Sequence, residues 1–440
     1  MKIFFVSLGC DKNLVDSEQM MGLLRSRGYE FTDDETQADV AVINTCGFIS
    51  SAKEESINTI LSVAEYKNKN LKALIVTGCL AERYKSEIMN EMPEIDAIIG
   101  TTAFDTICDV VDDVLADRKH NEFRDINALC RPKTDRIITT GGYYSYLKIA
   151  EGCDKRCTYC SIPLFKGSYR STPMEDLVNE AEFLAANGIK ELILVAQETS
   201  LYGKDLYSRK SLPELLRKLC LIKGIEWIRI LYCYPEEIDD ELIQVIKDEP
   251  KICHYIDMPI QHASDTILKK MGRRTTNSDL RGIIDRLRKE IPDIALRTTL
   301  ITGFPGETDD DHRILMDFVD EMEFDRLGVF TYSPEEDTPA AAMENQIDEE
   351  IKLTRRDELM ELQQEVSTDK AQRLVGKHME VIIEGKAADE DVYVGRTYMD
   401  APGVDGYVFI NSDEELMSGD FAKVLITKAL EYDLIGELER

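Results

Sequence analysis

The sequence predicts an α/β protein in three parts. An N-terminal α/β domain is built on a parallel sheet, a partial (β/α) barrel occupies the centre, and a small antiparallel β-barrel ends the chain. Three observations predict this. Short apolar runs alternate with helical stretches through most of the chain, the pattern of βαβ units. The first three runs each end in a Gly–Cys pair, with cysteine spacings of 36 and 33 residues, about one βαβ unit each. The last stretch changes to five short strands separated by turn residues. At 440 residues the chain is too long for a single core. The expected parts are 1–117, a linker over 118–138, 139–370 and 371–440.

In the first part KIFFVS (2–7), DVAVIN (39–44) and LKALIVT (71–77) read as strands. SEQMMGLLRSRG (17–28) and AKEESINTILSVAEYK (52–67) read as the helices between them. Right-handed crossovers then give a parallel sheet. The strands end in "LGC" at Cys10, "TCG" at Cys46 and "TGC" at Cys79. In a parallel sheet all the C-terminal strand ends lie on one edge, where open α/β sheets bind ligands. Three cysteines far apart in sequence are therefore expected to converge. The linker carries charged residues, Asn and Pro132, and Gly141-Gly142 follow it, as suits a connection between domains.

In the second part YYSYLKIA (143–150) is a strand leading into a cysteine motif. A helix is expected from Met174 to Ala186, with Gly188 at its C′ position. ELILVAQ, WIRILY, YIDMPI, IALRTTLITGF and RLGVFTYS follow as strands with helical patterns between them. About six β/α units fit a partial or full parallel barrel. In the third part MEVIIEG, VYVGRTY, GYVFIN, FAKVLITKA and YDLIGEL are the five strands.

Composition bounds the function. Hydrophobic residues make up 43% and the mean hydropathy is −0.27, which suits a soluble globular protein. No apolar run is long enough to span a bilayer, and no cleavage signal follows the first strand, so the expected location is cytoplasmic. Eleven cysteines in such a chain read as packing, catalysis or metal ligands, not as a disulfide framework. The net charge of −31 repels phosphate backbones and attracts a basic protein. The terminal barrel is itself acidic, by about two to one, and does not read as a nucleic-acid surface.

The chemistry lies in "EGCDKRCTYCSIP", residues 151–163. Cys153, Cys157 and Cys160 are three ligands where a closed zinc site wants four. On a four-iron cluster, three cysteines leave one iron open. C-x-x-x-C-x-aromatic-C, with Tyr159 as the aromatic, resembles the signature of radical S-adenosylmethionine (SAM) enzymes. The resemblance implies that SAM chelates the open iron and is cleaved to a 5′-deoxyadenosyl radical that abstracts hydrogen. Cys10, Cys46 and Cys79 then resemble the second-cluster ligands of methylthiotransferases, a family with this three-part layout and a terminal TRAM-type barrel. That resemblance covers essentially the whole chain. It implies two 4Fe-4S clusters and SAM as cofactors.

Two branches of that family compete. "SIPLFKGSYRSTPMEDL" (161–177), "LVAQETSLYGKDLY" (194–207) and "RTTLITGFPGET" (297–308) resemble the branch that methylthiolates the β-carbon of an aspartate in small-subunit ribosomal protein 12. The charge points the same way: a tRNA enzyme must neutralise phosphates, whereas a basic ribosomal protein suits the acidic barrel. tRNA is disfavoured, although Lys155, Arg156, Lys166 and Arg170 leave room for a local basic patch. The alternatives are the tRNA adenosine branch and a non-catalytic iron–sulfur protein. The resemblance also implies a reductant protein, which the sequence does not identify.

Other residues are weaker candidates. Gln197 and Glu198 end a predicted strand, the place for groups contacting SAM, or for an ordinary polar cap. Arg297 lies in a strand suited to burial and needs a partner; a SAM carboxylate is one candidate. Gly303 opens a turn where backbone can approach adenosine, or simply turns. Tyr159 is expected over the cluster or the adenine. His254 and His262 read as hydrogen-bonded barrel histidines. Cys108, Cys220, Cys233, Cys253 and Trp227 read as core, and Cys130 as an exposed linker residue.

Overall fold

A sheet forms in each part of the chain. The computed structural model describes residues 1–130, 132, 135–387, 392–412 and 414–439. The first sheet contains β1 (Lys2–Ser7), β2 (Glu30–Thr32), β3 (Val40–Thr45), β4 (Ala73–Gly78) and β5 (Ala97–Ile99). Its order is β2-β1-β3-β4-β5 and every pairing is parallel. β3 and β4 are buried along their whole length, which is why they read as unbroken apolar runs. β2 and β5 are three residues each, too short to leave a period in the sequence. The first helix runs Asp11–Ser26, not 17–28. Its early turns bury Lys12, Asn13 and Asp16, polar residues that break the apolar pattern because they face other polar groups.

The central sheet contains β6 (Tyr144–Lys148), β9 (Glu191–Val195), β10 (Trp227–Ile230), β11 (Ile252–Asp257), β12 (Ala295–Thr302) and β13 (Arg326–Thr331). Its order is β13-β12-β11-β10-β9-β6, parallel throughout and open between β13 and β6. It is thus a partial barrel. Between β6 and β9 a two-stranded antiparallel pair, β7 (Ala150–Glu151) and β8 (Arg170–Ser171), closes the loop that carries the cysteine motif. The helix Met174–Ala186 follows, with Gly188 in the left-handed region.

The last part contains β14 (His378–Lys386), β15 (Val392–Thr397), β16 (Val408–Asn411), β17 (Phe421–Ala429) and β18 (Leu434–Leu438), closed into a barrel in the order β14-β15-β16-β18-β17. It is not wholly antiparallel: β16 and β18 pair in parallel. Five strands cannot alternate direction around a closed ring, so one pair must run the same way.

The barrel docks near the N-terminal ends of the central strands through buried charge. Glu191, Arg229 and Arg396 have no solvent exposure. Glu191 holds Arg229 at 2.8 Å and Arg396 at 2.7 Å, and Arg396 also reaches Glu384 at 2.5 Å. Trp227 meets Phe421 edge to face at 5.0 Å, so it is core, but core shared between two domains. The expected linker is not a free tether. Glu122 extends the first sheet beside Ile99, and Arg136 is buried against Glu18 and Glu180. Cys130 packs half-buried on the first core rather than standing exposed. Among the described residues no helix is long and apolar enough to cross a membrane.

Replacing Arg396 by Met should loosen this joint. It leaves Glu191 buried with one partner, a change that costs about 3–5 kcal/mol. Thermal unfolding is expected to split, with the barrel melting ahead of the rest, and an unsplit transition at the wild-type midpoint would refute the assignment.

Candidate active site

The three N-terminal cysteines come together at one sheet edge. Cys10 caps the helix that follows β1, Cys46 follows β3, and Cys79 opens a short helix, Cys79–Arg83, directly after β4. The repeated glycines explain themselves. Gly9 has φ +89°, and a Cβ there would lie 2.7 Å from the Cys46 Cβ. Gly78 has φ +95°, and a Cβ there would press to 2.5 Å on the Thr45 carbonyl oxygen. Asn13, which the sequence reading passed over, ties the edge together. Its Nδ2 donates to the Leu8 and Thr45 carbonyls at 3.1 and 2.9 Å, and the Cys79 thiol donates to its Oδ1 at 3.6 Å. Burial pushes the Cys46 and Cys79 thiols up, and Lys166 pulls both back.

The central cysteines lie in the loop closed by β7 and β8. Cys153 and Cys157 are buried and Cys160 half-buried. Burial pushes Cys153 up to about 12 and Cys160 higher. The Cys157 thiol lies 3.5 Å from the Tyr234 hydroxyl, and the Arg273 guanidinium stacks on the Tyr234 ring at 4.2 Å. Lys155 is held by Glu237 at 2.6 Å, Glu236 at 3.1 Å and Glu198 at 4.0 Å. Tyr159 packs with Ile267, Met271, Phe304 and Tyr332.

The chain segments that carry the two thiol trios meet at the seam between the first two domains. Ser161, next to Cys160, donates to the carbonyl of Phe48, two residues past Cys46, at 3.3 Å. The helix Ile162–Lys166 packs on the helix that Cys79 opens. Lys166 is 3% exposed and sits 3.4 Å from both Asp16 and Glu151. Lys148 pairs with the same two carboxylates. Burial disfavours the Glu151 charge, but Lys148 and Lys166 outweigh it and hold this carboxyl well below the usual range. Lys12 lies 3.4 Å above the Tyr232 ring, so the helix turn just after Cys10 also reaches the central domain.

The other candidates separate. Gln197 donates to Glu151 at 2.7 Å and lies on the seam. Glu198 is fully buried; Ser200 bonds one oxygen while the other has no hydrogen-bond partner. Burial pushes this carboxyl up to about 7. Arg297 finds its partners within the protein, Asp257 at 2.8 Å and Asp405 of the barrel at 3.2 Å, at the end of β12 away from the cysteines. Its buried charge is thereby met without a SAM carboxylate. Gly303, φ +71°, makes room for the stem of Lys352 from the helix Glu349–Gln372. His254 bonds Asp293; His262 is buried, accepts from the Ser264 amide, and is pushed down to about 3 by burial. Cys233 and Cys253 are buried; Cys108 and Cys220 are half-buried.

Among the described residues no group of three or more His, Cys, Asp or Glu side chains closes on one point. The donor chemistry nevertheless fits. Each site offers three thiols outside any disulfide, the set that leaves one iron of a four-iron cluster open. Buried polar atoms without hydrogen-bond partners gather beside the central trio: Glu198 Oε2, Gln197 Oε1 and Arg273 Nη1. These suit a small zwitterionic ligand such as SAM.

Comparison with known proteins agrees. The uncharacterized protein family UPF0004 matches residues 2–100, the radical SAM superfamily 147–319 and the TRAM domain 375–438. This layout, with two thiol trios, defines a radical SAM methylthiotransferase. The ribosomal protein uS12 methylthiotransferase RimO of Lachnoclostridium phytofermentans is 64% identical over 440 residues, covering 100% of both chains. Those of Acetivibrio thermocellus and Clostridioides difficile are 53% and 51% identical, covering 98% or more of each chain. The chain belongs to the ribosomal protein uS12 methylthiotransferase family. Among solved structures, the radical SAM methyltransferase TsrM of Kitasatospora setae shares the fold at a TM-score of 0.58 with 14% identity, over 89% of this chain and 80% of that one.

Two predictions follow from this geometry. Asn13→Ala removes the clamp on three strand ends, so reconstituted protein should fall from about eight irons toward about four per chain, with the central cluster's spectrum kept. Full iron content in that variant would show Asn13 to be dispensable. Glu198→Gln addresses a carboxyl whose folded value lies above its unfolded one. Its charge therefore opposes folding as pH rises through about 7. The apoprotein variant should gain about 2–3 kcal/mol over wild type at pH 8 and little at pH 5, measured by urea unfolding. An equal difference at both pH values contradicts the assignment.

Proposed function

We propose that this protein is a cytoplasmic enzyme that replaces a hydrogen on the β-carbon of an aspartate in ribosomal protein uS12 with a methylthio group. The observation that carries the reading is that the segments bearing the two cysteine trios meet at one seam, through Ser161 on Phe48 and through packed helices that start at Cys79 and just after Cys160. Such a C–H bond is unactivated, so acid–base chemistry does not suffice. The bound clusters and SAM would supply one-electron cleavage of a sulfonium bond and a methyl-bearing sulfur.

The protein's own residues do the rest. Cys10, Cys46 and Cys79 would hold one cluster, and Cys153, Cys157 and Cys160 the other. Glu198, Gln197 and Arg273 present buried polar atoms without hydrogen-bond partners for the amino and carboxylate groups of SAM. Tyr159 and its apolar neighbours keep water from the central site. The Lys148–Lys166 pair fixes the strand before Cys153 against the helix after Cys10. The net charge of −31 and the acidic barrel favour a basic partner, by long-range steering, over tRNA. A separate reductant protein would supply electrons.

The test offers the reconstituted holoenzyme, with SAM and reductant, isolated uS12 and unmodified tRNA in parallel. The expected result is a methylthio mass gain on one uS12 aspartate and none on tRNA. Modified tRNA beside unmodified uS12 would overturn the substrate. Iron content of about eight per chain is expected; about four would remove the second cluster.

A further inference from the structure

A groove of about 420 Å³ lies on the N-terminal domain beside the thiol edge. Two of its lining residues, Ser50 and Leu80, stand four positions past Cys46 and one past Cys79. Its floor is apolar, with Leu80 and Ile88 buried and Met92 half-buried, and Ile57 stands exposed beside them. Its rim is acidic: Glu54, Glu87 and Glu91 are exposed and make no ion pair among the described residues. The central domain supplies one wall. Glu335, 2% exposed, is gripped by Lys53 at 2.9 Å and Arg83 at 3.0 Å, and Tyr84 donates to Glu336 at 2.9 Å. The groove's one lysine is therefore neutralised, and the groove bridges the same two domains as the thiol seam. Phe48, bonded through its carbonyl to Ser161 on that seam, is itself 37% exposed two residues before Ser50.

We propose that this groove docks an extended basic segment of the substrate protein and so delivers the reacting aspartate to the seam. The proposal rests on the function given above. Charge complementarity selects the occupant: three unpaired carboxylates around an apolar floor suit Lys and Arg side chains, whose aliphatic stems cover apolar surface while their heads meet the rim. Position selects the function. The acidic barrel docks near the N-terminal ends of the central strands, whereas the cysteines lie beyond the C-terminal ends. A segment held only by the barrel would sit at the wrong end of the sheet, but one in the groove lies beside Cys46 and Cys79. Carboxylates rimming the groove also repel the phosphates of an RNA.

The test compares two charge reversals in the full-length holoenzyme. One carries Glu54→Lys, Glu87→Lys and Glu91→Lys on the groove; the other carries Glu414→Lys, Glu415→Lys and Glu431→Lys on the exposed barrel surface. Binding of isolated uS12 is read by fluorescence anisotropy at fixed salt, and turnover by methylthiolated product. The groove variant should weaken uS12 binding and raise its KM by about tenfold or more, as expected for three lost charge contacts. SAM cleavage without uS12 should stay at the wild-type rate, which also shows that the variant is folded and loaded. The barrel variant should change affinity by at most about threefold. Wild-type affinity in the groove variant, or equal losses in both, overturns the docking site. Failure of the proposed function shows elsewhere, as wild-type enzyme that neither binds nor modifies uS12.

Discussion

Four charges where two domains meet, Asp16 and Lys166 buried and Lys148 and Glu151 partly so, set the geometry of the rest. Asp16 comes from the helix that starts at Cys10, Lys148 and Glu151 from the strands just before Cys153, and Lys166 from the helix just after Cys160. Two carboxylates share two ammonium groups, so no charge is left alone. Such an arrangement adds little net stability over an apolar one, but it penalises every misfit, because shifting one domain strands a charge in a dry interior. It thereby fixes orientation more than it adds cohesion. Orientation is what two three-thiol sites on separate domains require, since atoms pass between them only when both face one space.

The opposite end of the central sheet uses the same device for another purpose. Glu191 with Arg229 and Arg396, Arg297 with Asp257 and Asp405, and Arg326 with Asp400 lock the barrel near the strands' N-terminal ends. Arginine suits this joint because its fork spans two acceptors at once. Lysine, a point charge, serves at the thiol seam, where Lys166 also offsets part of the upward push that burial gives Cys46 and Cys79. The central sheet is therefore held at both ends by desolvated charge, while its own cohesion comes from apolar packing.

Much of this was legible in the sequence. The strand runs were found because parallel strands buried on both faces are continuously apolar. The convergence of Cys10, Cys46 and Cys79 followed from topology alone. The missed features share one cause: they depend on partners distant in sequence. Asn13 is an ordinary polar residue until three strand ends surround it. Arg297 was correctly seen to need a partner, but nothing local distinguishes Asp405, 108 residues away, from a ligand. Gly303 shows the same gap, since the Lys352 stem it clears lies on a helix 49 residues on. The parallel β16–β18 pair is a matter of parity: an odd number of strands closed into a barrel cannot all be antiparallel, so the expected antiparallel barrel holds one parallel pair.

The segment Phe165-Lys166-Gly167 sharpens the last point. It lies in the stretch 161–177 that resembles the ribosomal-protein branch, and a natural inference is that it touches the substrate. The structure makes that role unavailable to its side chains. Phe165 is fully buried with its carbonyl bonded to Thr101, Lys166 is ion-paired in the seam, and a Cβ on Gly167 would crowd Ile126 and Asn127. These residues act on how the two thiol domains meet. A branch signature can therefore encode the spacing of two reactive centres, with contact to the substrate left to surfaces whose chemistry, an acidic rim on an apolar floor, leaves no short motif in the chain.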